Sequence, residues 1–178
     1  MRKYMTTAVL AAAVAVAGTA VQAQDMMPKP AAEMSKIAFF DGNWTCEGKM
    51  HETPMGPAGA MTGKAVIGSD LGGFYQTGKI TGTMAGMPPY EGMYHTTWDP
   101  VAKQYVMFWF DNMGAWSRAT SSGWNGDSIV YEGQGQMGTM TMKGRDTFTK
   151  NADGSFKHFF EVDMGGTWMP MGEETCRK

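Results

Sequence analysis

The chain predicts an all-β domain: a single antiparallel β-barrel of about ten strands behind one short helix. Three observations carry that expectation. Aromatic and β-branched stretches recur at short intervals from Asn43 onward, punctuated by Gly, Pro, Asn and Asp clusters at residues 70–73, 86–89, 125–127, 151–154 and 164–166, the alternation of strand and turn. A helical period occurs in one short segment, residues 30–40. The two cysteines, Cys46 and Cys176, lie near opposite ends of the domain. A bridge between them sets the first strand beside the last, because bridged Cα atoms sit about 5.5–6 Å apart, and such closure removes exposed sheet edges.

The elements follow in order. Met1-Arg2-Lys3, an apolar run over residues 8–17 and Val21-Gln22-Ala23 have the form of a signal peptide, residues 1–23. The run is shorter than the ~20 residues that span a bilayer, and a buried N-terminal helix is the alternative. With no Cys at the cut site, a lipid anchor is not expected. Residues 24–29 read as a flexible tail and 30–178 as the barrel domain. In 30–40, Pro30 starts a helix, Met34, Ile37, Ala38 and Phe40 give it an apolar face, and Asp41-Gly42 ends it.

Residues 43–51 then alternate, with Trp44, Cys46, Gly48 and Met50 opposite Asn43, Thr45, Glu47, Lys49 and His51, which is strand periodicity. Further strands are expected at 60–68, 74–81, 90–98, 103–111, 116–122, 128–134, 139–149, 155–163 and 172–177. Between 90–98 and 103–111, Asp99-Pro100 sets up a turn, and Asp111-Asn112-Met113-Gly114 supplies the next. Strand 103–111 is apolar on both faces, with Tyr105, Met107 and Trp109 on one and Val106, Phe108 and Phe110 on the other. Its outer face therefore needs cover, from the helix around 34–40 or from a second subunit, which makes a homodimer through 103–111 an expected partner. A transmembrane barrel is the rival architecture. Many of these strands fall short of the 9–11 residues it requires, and Lys, Glu and Gly occupy both faces.

Removing 23 of the 178 residues leaves 155, enough for one domain with a full core. With Arg2 and Lys3 gone, 13 of the 15 basic residues face 17 acids, a formal charge of −4. The bases are scattered singly, so a nucleic-acid partner is not expected, nor is membrane insertion once the signal is cut. In an oxidising compartment the cysteine pair favours a disulfide. A metal-binding or catalytic pair is the alternative, although neither cysteine has a His within a few residues.

Gly42-Asn43-Trp44, just after the helix, resembles the Gly-x-Trp signature of lipocalins and their calycin relatives. The likeness implies that Trp44 packs at the closed end of the barrel beneath an Arg of the last strand, and Arg177 fits by position. Thr77–Pro88, Tyr94 to Pro100, Lys103-Gln104-Tyr105, Trp109 to Gly114 and Arg177-Lys178 resemble the family known as domain of unknown function 1579. That resemblance spans most of the chain beyond the signal. It implies a calycin-like barrel and brings no established ligand, cofactor or catalytic residue. The disulfide rests on this sequence alone.

Catalytic signatures are missing: the sequence holds no Gly-x-Ser-x-Gly, His-Glu-x-x-His, phosphate loop or dinucleotide fingerprint. Strand parity turns His51 and His95 outward and His158 inward, with Phe156, Phe160 and Val162, so a three-His metal site is not expected. Asp146 shares the face of Met140, Met142 and Phe148 and also points inward. A His158–Asp146 pair can be a satisfied core pair, a ligand contact, a haem-iron ligand or an acid–base pair. Methionine is abundant, with clusters at Met84/Met87, Met137/Met140/Met142 and Met169/Met171. Thioethers can pack a core, line an adaptable cavity or bind Cu(I).

Trp44, Phe74, Tyr94, Trp98, Phe108, Trp116, Phe156 and Phe160 are expected inside, where they either fill the barrel or, with Asp146 and His158, line a ligand cavity. The expected function is an exported, non-enzymatic binding protein for a small hydrophobic ligand. A copper-binding protein using the Met clusters and a barrel enzyme using His158 and Asp146 are the alternatives.

Overall fold

A computed structural model describes residues 27–178 apart from Ala85; the expected signal peptide, residues 1–23, and the start of the expected tail lie outside the described residues. The described chain opens with one helical turn, α1 (Glu33–Lys36), and a 3-10 turn, Ala38–Phe40. Eleven strands follow: β1 (Gly42–Met50), β2 (Gly59–Asp70), β3 (Tyr75–Met84), β4 (Tyr90–Asp99), β5 (Gln104–Asp111), β6 (Trp116–Ser121), β7 (Trp124–Asn125), β8 (Ser128–Met137), β9 (Met140–Lys150), β10 (Phe156–Asp163) and β11 (Trp168–Arg177). Ten close into an antiparallel barrel in chain order, with β6 pairing directly to β8 and β11 returning to β1; the two-residue β7 lies outside on β8.

Two local devices set the register of the central hairpin. Asp99 Oδ1 accepts hydrogen bonds from the Val101 and Ala102 amides at 2.9 and 3.0 Å, and Asp111 Oδ1 accepts from Met113 and Ala115 at 3.0 Å each. These are the turns the sequence predicts. The first loop leaves Trp98 opposite Tyr105, and residues opposite one another in an antiparallel pair share a face. Tyr105, Met107 and Trp109 therefore point inward with Trp98, Thr96 and Tyr94. Phe108 pairs with His95 and Arg118, and Trp116 with Phe110, all on the outer wall. Phe108 is 38% exposed and Trp116 46%. The interior placement expected for these two rings is thus corrected: loop length decides strand parity, and a one-residue slip turns every side chain over.

The β1–β11 seam aligns Cys46 with Cys176 within a run of six paired positions. Their Cα atoms are 4.0 Å apart and the disulfide is formed across 130 residues of chain. Trp44, Cys46 and Phe156 lie in the buried cluster at this end.

The helical segment plugs that end. Ile37 is 1% exposed and Phe40 6%, while carbonyls of this short segment accept from barrel side chains, as the open carbonyls at a helix end must find partners. Tyr105 Oη donates to Glu33 O (2.6 Å), Trp124 Nε1 to Lys36 O (2.9 Å), Gln76 Nε2 to Ile37 O (2.8 Å) and Trp44 Nε1 to Phe40 O (2.7 Å). This bonding also explains why the helix is shorter than residues 30–40: burial of Ile37 and Phe40 draws the backbone into a 3-10 turn. A plug at the barrel end cannot cover the outer face of β5, so Met93, Phe108, Phe110 and Trp116 remain exposed there. The cation over Trp44 is Lys178, 4.7 Å from the ring centre. Arg177 pairs with outward Thr45, one position out of phase with the inward Cys176, so the role expected for it is not filled.

Candidate functional site

The opposite end of the barrel is built from different residues. Following the inward face across the registers, Met61 pairs with Met84, Gly92 with Asp111 and Met137 with Met140. Inward glycines make room for rings along the wall: a Cβ on Gly78 would overlap Tyr94, and one on Gly92 would overlap Trp109. Trp109 stacks on Tyr90, with ring centres 6.2 Å apart and 14° between planes, and its Nε1 donates to Asp111 Oδ2 at 3.3 Å.

Below this rim lies a cavity of about 150 Å3 whose walls are mainly apolar, among them Trp109, Ala119, Met137, Met142 and Val162, with Asp146, Ser117, Gln134, Gln136 and Lys143 as its polar residues. The volume is below the roughly 300–1,000 Å3 of sites that engulf a drug-sized ligand. Elsewhere the interior is filled by Tyr94, Tyr105, Tyr131, Phe148 and Phe156, which are buried or packed against the buried cluster. A wider hollow of about 490 Å3 on the outer wall is bordered by Arg118, Glu132 and Lys143; it lacks an enclosing apolar wall.

Asp146 belongs to a three-residue group. Registers Phe148↔His158↔Glu174 and Asp146↔Phe160 put all of these side chains inside. His158 Nε2 lies 2.9 Å from Asp146 Oδ1, and Nδ1 lies 3.1 Å from Glu174 Oε1. Phe148 stacks on the imidazole, 4.4 Å between ring centres. Desolvation opposes a charge on His158, but hydrogen bonds and attraction from Asp146, then Glu174, overcome it and raise the pKa to about 9. At neutral pH both ring nitrogens therefore carry a proton and donate. With Nε2 engaged by Asp146 and Nδ1 by Glu174, neither ring nitrogen is left facing the cavity as a metal ligand or base in this geometry. Glu174 also lies within 4.8 Å of the cysteine sulfurs, which are committed to the disulfide; no metal set survives there.

The residues singled out by sequence separate into groups. Asp146, His158 and Phe160 come together beneath the rim. Tyr94 fills mid-barrel, its hydroxyl donating to Gln76 Oε1 at 3.3 Å. Trp44, Trp98 and Phe156 belong to or pack against the closed-end core. Phe74 sits half-buried at the β2–β3 corner, its carbonyl accepting from Thr97 Oγ1 at 2.8 Å. Phe108 faces solvent, and Trp116 borders the cavity from the outward side. Sequence reasoning missed Glu174, Trp109, Ser117, Ala119 and Val162 as members of the site. Glu174 was findable: two residues before an inward Cys176, it shares that face.

Comparison with known proteins adds fold and family. No curated protein matches the chain. Among solved structures, the chain is similar to Rv2717c from M. tuberculosis, with a TM-score of 0.63 at 11% identity over 84% of this chain and 99% of that one, which shows a shared fold. The model of the family described as protein of unknown function DUF1579 matches residues 29–178, and the chain belongs to that family.

Proposed function

We propose that this is an exported, non-enzymatic binding protein that takes a small, largely apolar molecule into the open end of its barrel. One observation carries the reading: a cavity walled by Trp109, Ala119, Met137, Met142 and Val162, with a carboxylate in its lining, at the end that the helical plug does not close. Apolar walls with few placed polar groups are the usual make-up of small-molecule sites. The cavity size selects a short chain or a single ring, with the rest of the molecule at the rim. Export is supported by the Cys46–Cys176 bridge, since disulfides persist in oxidising compartments, and by the basic-then-apolar start of the chain.

The test is displacement of a neutral apolar dye, Nile red, by short alkanols, in the wild type and in Met142→Trp. The indole should fill the cavity and abolish saturable binding while the fold, read by circular dichroism, persists. Equal binding in both proteins would refute the site.

The β8–β9 hairpin favours copper as a second reading. Met137 and Met140 are direct cross-strand partners, and Met142 is the next residue on the same face. With both cysteines bridged and both nitrogens of His158 engaged, thioethers are the soft donors at the mouth, and soft donors select Cu(I). Anaerobic Cu(I) titration of the wild type against the triple Met→Leu variant at these positions decides: loss of one tight site supports it, identical titrations end it.

A further inference from the structure

Resting on the mouth as a binding site, we propose that the molecule held there carries a protonated amine or similar organic cation, and that Asp146 Oδ2 is its acceptor. His158 engages only Oδ1 of Asp146. Oδ2 accepts no hydrogen bond among the described residues, while the side chain lines the cavity and is 33% exposed. A neutral ligand that expelled water would leave this charged oxygen unpaired, which is costly. A cationic head turns that liability into a charge-assisted hydrogen bond.

The charge around the cavity points the same way. Asp146 and Glu174 together outnumber the imidazolium between them, leaving the trio one negative charge in excess. Asp111 adds another carboxylate, engaged by Trp109 and the turn amides. Its field and that of Asp146 both act on the Tyr90 hydroxyl, although of the two only Asp146 lines the cavity.

Lys143, paired with Gln134 on the outward face, borders the cavity as its one basic residue. The other nearby bases are turned elsewhere. Arg145 is bound to Glu161 at 2.8 Å, with its guanidinium 4.3 Å from the Trp168 ring. Lys150 lies at the closed end over Trp124. The stacked Tyr90–Trp109 pair at the rim adds π-faces suited to a cation.

Calorimetric titration with three matched probes tests the inference at pH 7: hexylammonium, 1-hexanol and hexanoate. The wild type should bind hexylammonium at least about tenfold tighter than hexanol, and hexanoate not measurably. Asp146→Asn, which keeps the shape, should bring hexylammonium and hexanol to within about twofold, a gap worth little free energy. Hexanol or hexanoate binding as tightly as the ammonium would overturn the charge inference while leaving the apolar mouth standing. If none of the three binds, the mouth reading falls as well. Should Asp146→Asn fail to fold, the wild-type ranking alone decides.

Discussion

His158 holds its charge because two carboxylates reach it inside a barrel that would otherwise neutralise it. The folded pKa of about 9 stands above the ordinary value near 6.5, so the ion-paired ring stabilises the fold fully below about pH 6.5. That contribution fades as pH rises through 9, with a total on the order of 3 kcal/mol. Melting temperature should accordingly fall between pH 6.5 and 9.5. In His158→Leu, two inward carboxylates are left without their cation; stability at pH 7 should drop by roughly 3–5 kcal/mol, and the fall between pH 6.5 and 9.5 should disappear with the imidazole. A flat profile in both proteins would contradict the charge state. Sequence parity alone places His158 and Asp146 on facing inward positions. It does not reveal that the ring is bonded on both sides: spacing from Cys176 turns Glu174 inward, but only the β10–β11 register sets it opposite His158.

At the scale of elements, ring size and glycine placement work together. Tyr94 on β4 lies over Gly78 on β3, and Trp109 on β5 lies over Gly92 on β4. Gly78→Ala should displace the Tyr94 ring and cost about 1–3 kcal/mol by overpacking, measured by denaturant unfolding. Gly144→Ala is the matched control on β9: its nearest neighbour would be a carbonyl oxygen 3.8 Å away, an ordinary contact, so stability should barely change. Strand existence was legible from alternation and turn residues, since Asp99 and Asp111 bond the loop amides as their positions suggest. The parity of Phe108 and Trp116 was not, because β5 is apolar on both faces and only the loop length chooses between them. The helix is shorter than its periodicity suggests for a related reason: three of its carbonyls accept from barrel side chains far away in sequence, which a local periodicity cannot register.

For the whole molecule, closure is the organising fact. The β1–β11 seam joins the two ends of the domain, and the bridge there spans 130 residues. In the chain-entropy model such a loop contributes up to about 5 kcal/mol, so the Cys46→Ala/Cys176→Ala pair should lose up to that amount while keeping the barrel, whose seam is also held by six paired positions. Retained stability under reducing conditions would show that the ladder alone carries the seam. Closure also divides the barrel into a plugged end, rich in buried aromatics, and an open end lined by thioethers, glycines and carboxylates. The account places function at the open end. The most direct test is a titration of protein labelled with 13C at the methionine methyls, using hexylammonium and 1-hexanol and following each methyl by NMR. The account predicts saturable shifts at Met137 and Met142 and none at Met93 or Met164, which are exposed outside the cavity lining. Shifts confined to those outer methionines, or no saturable shift at all, would contradict a binding site in the barrel mouth.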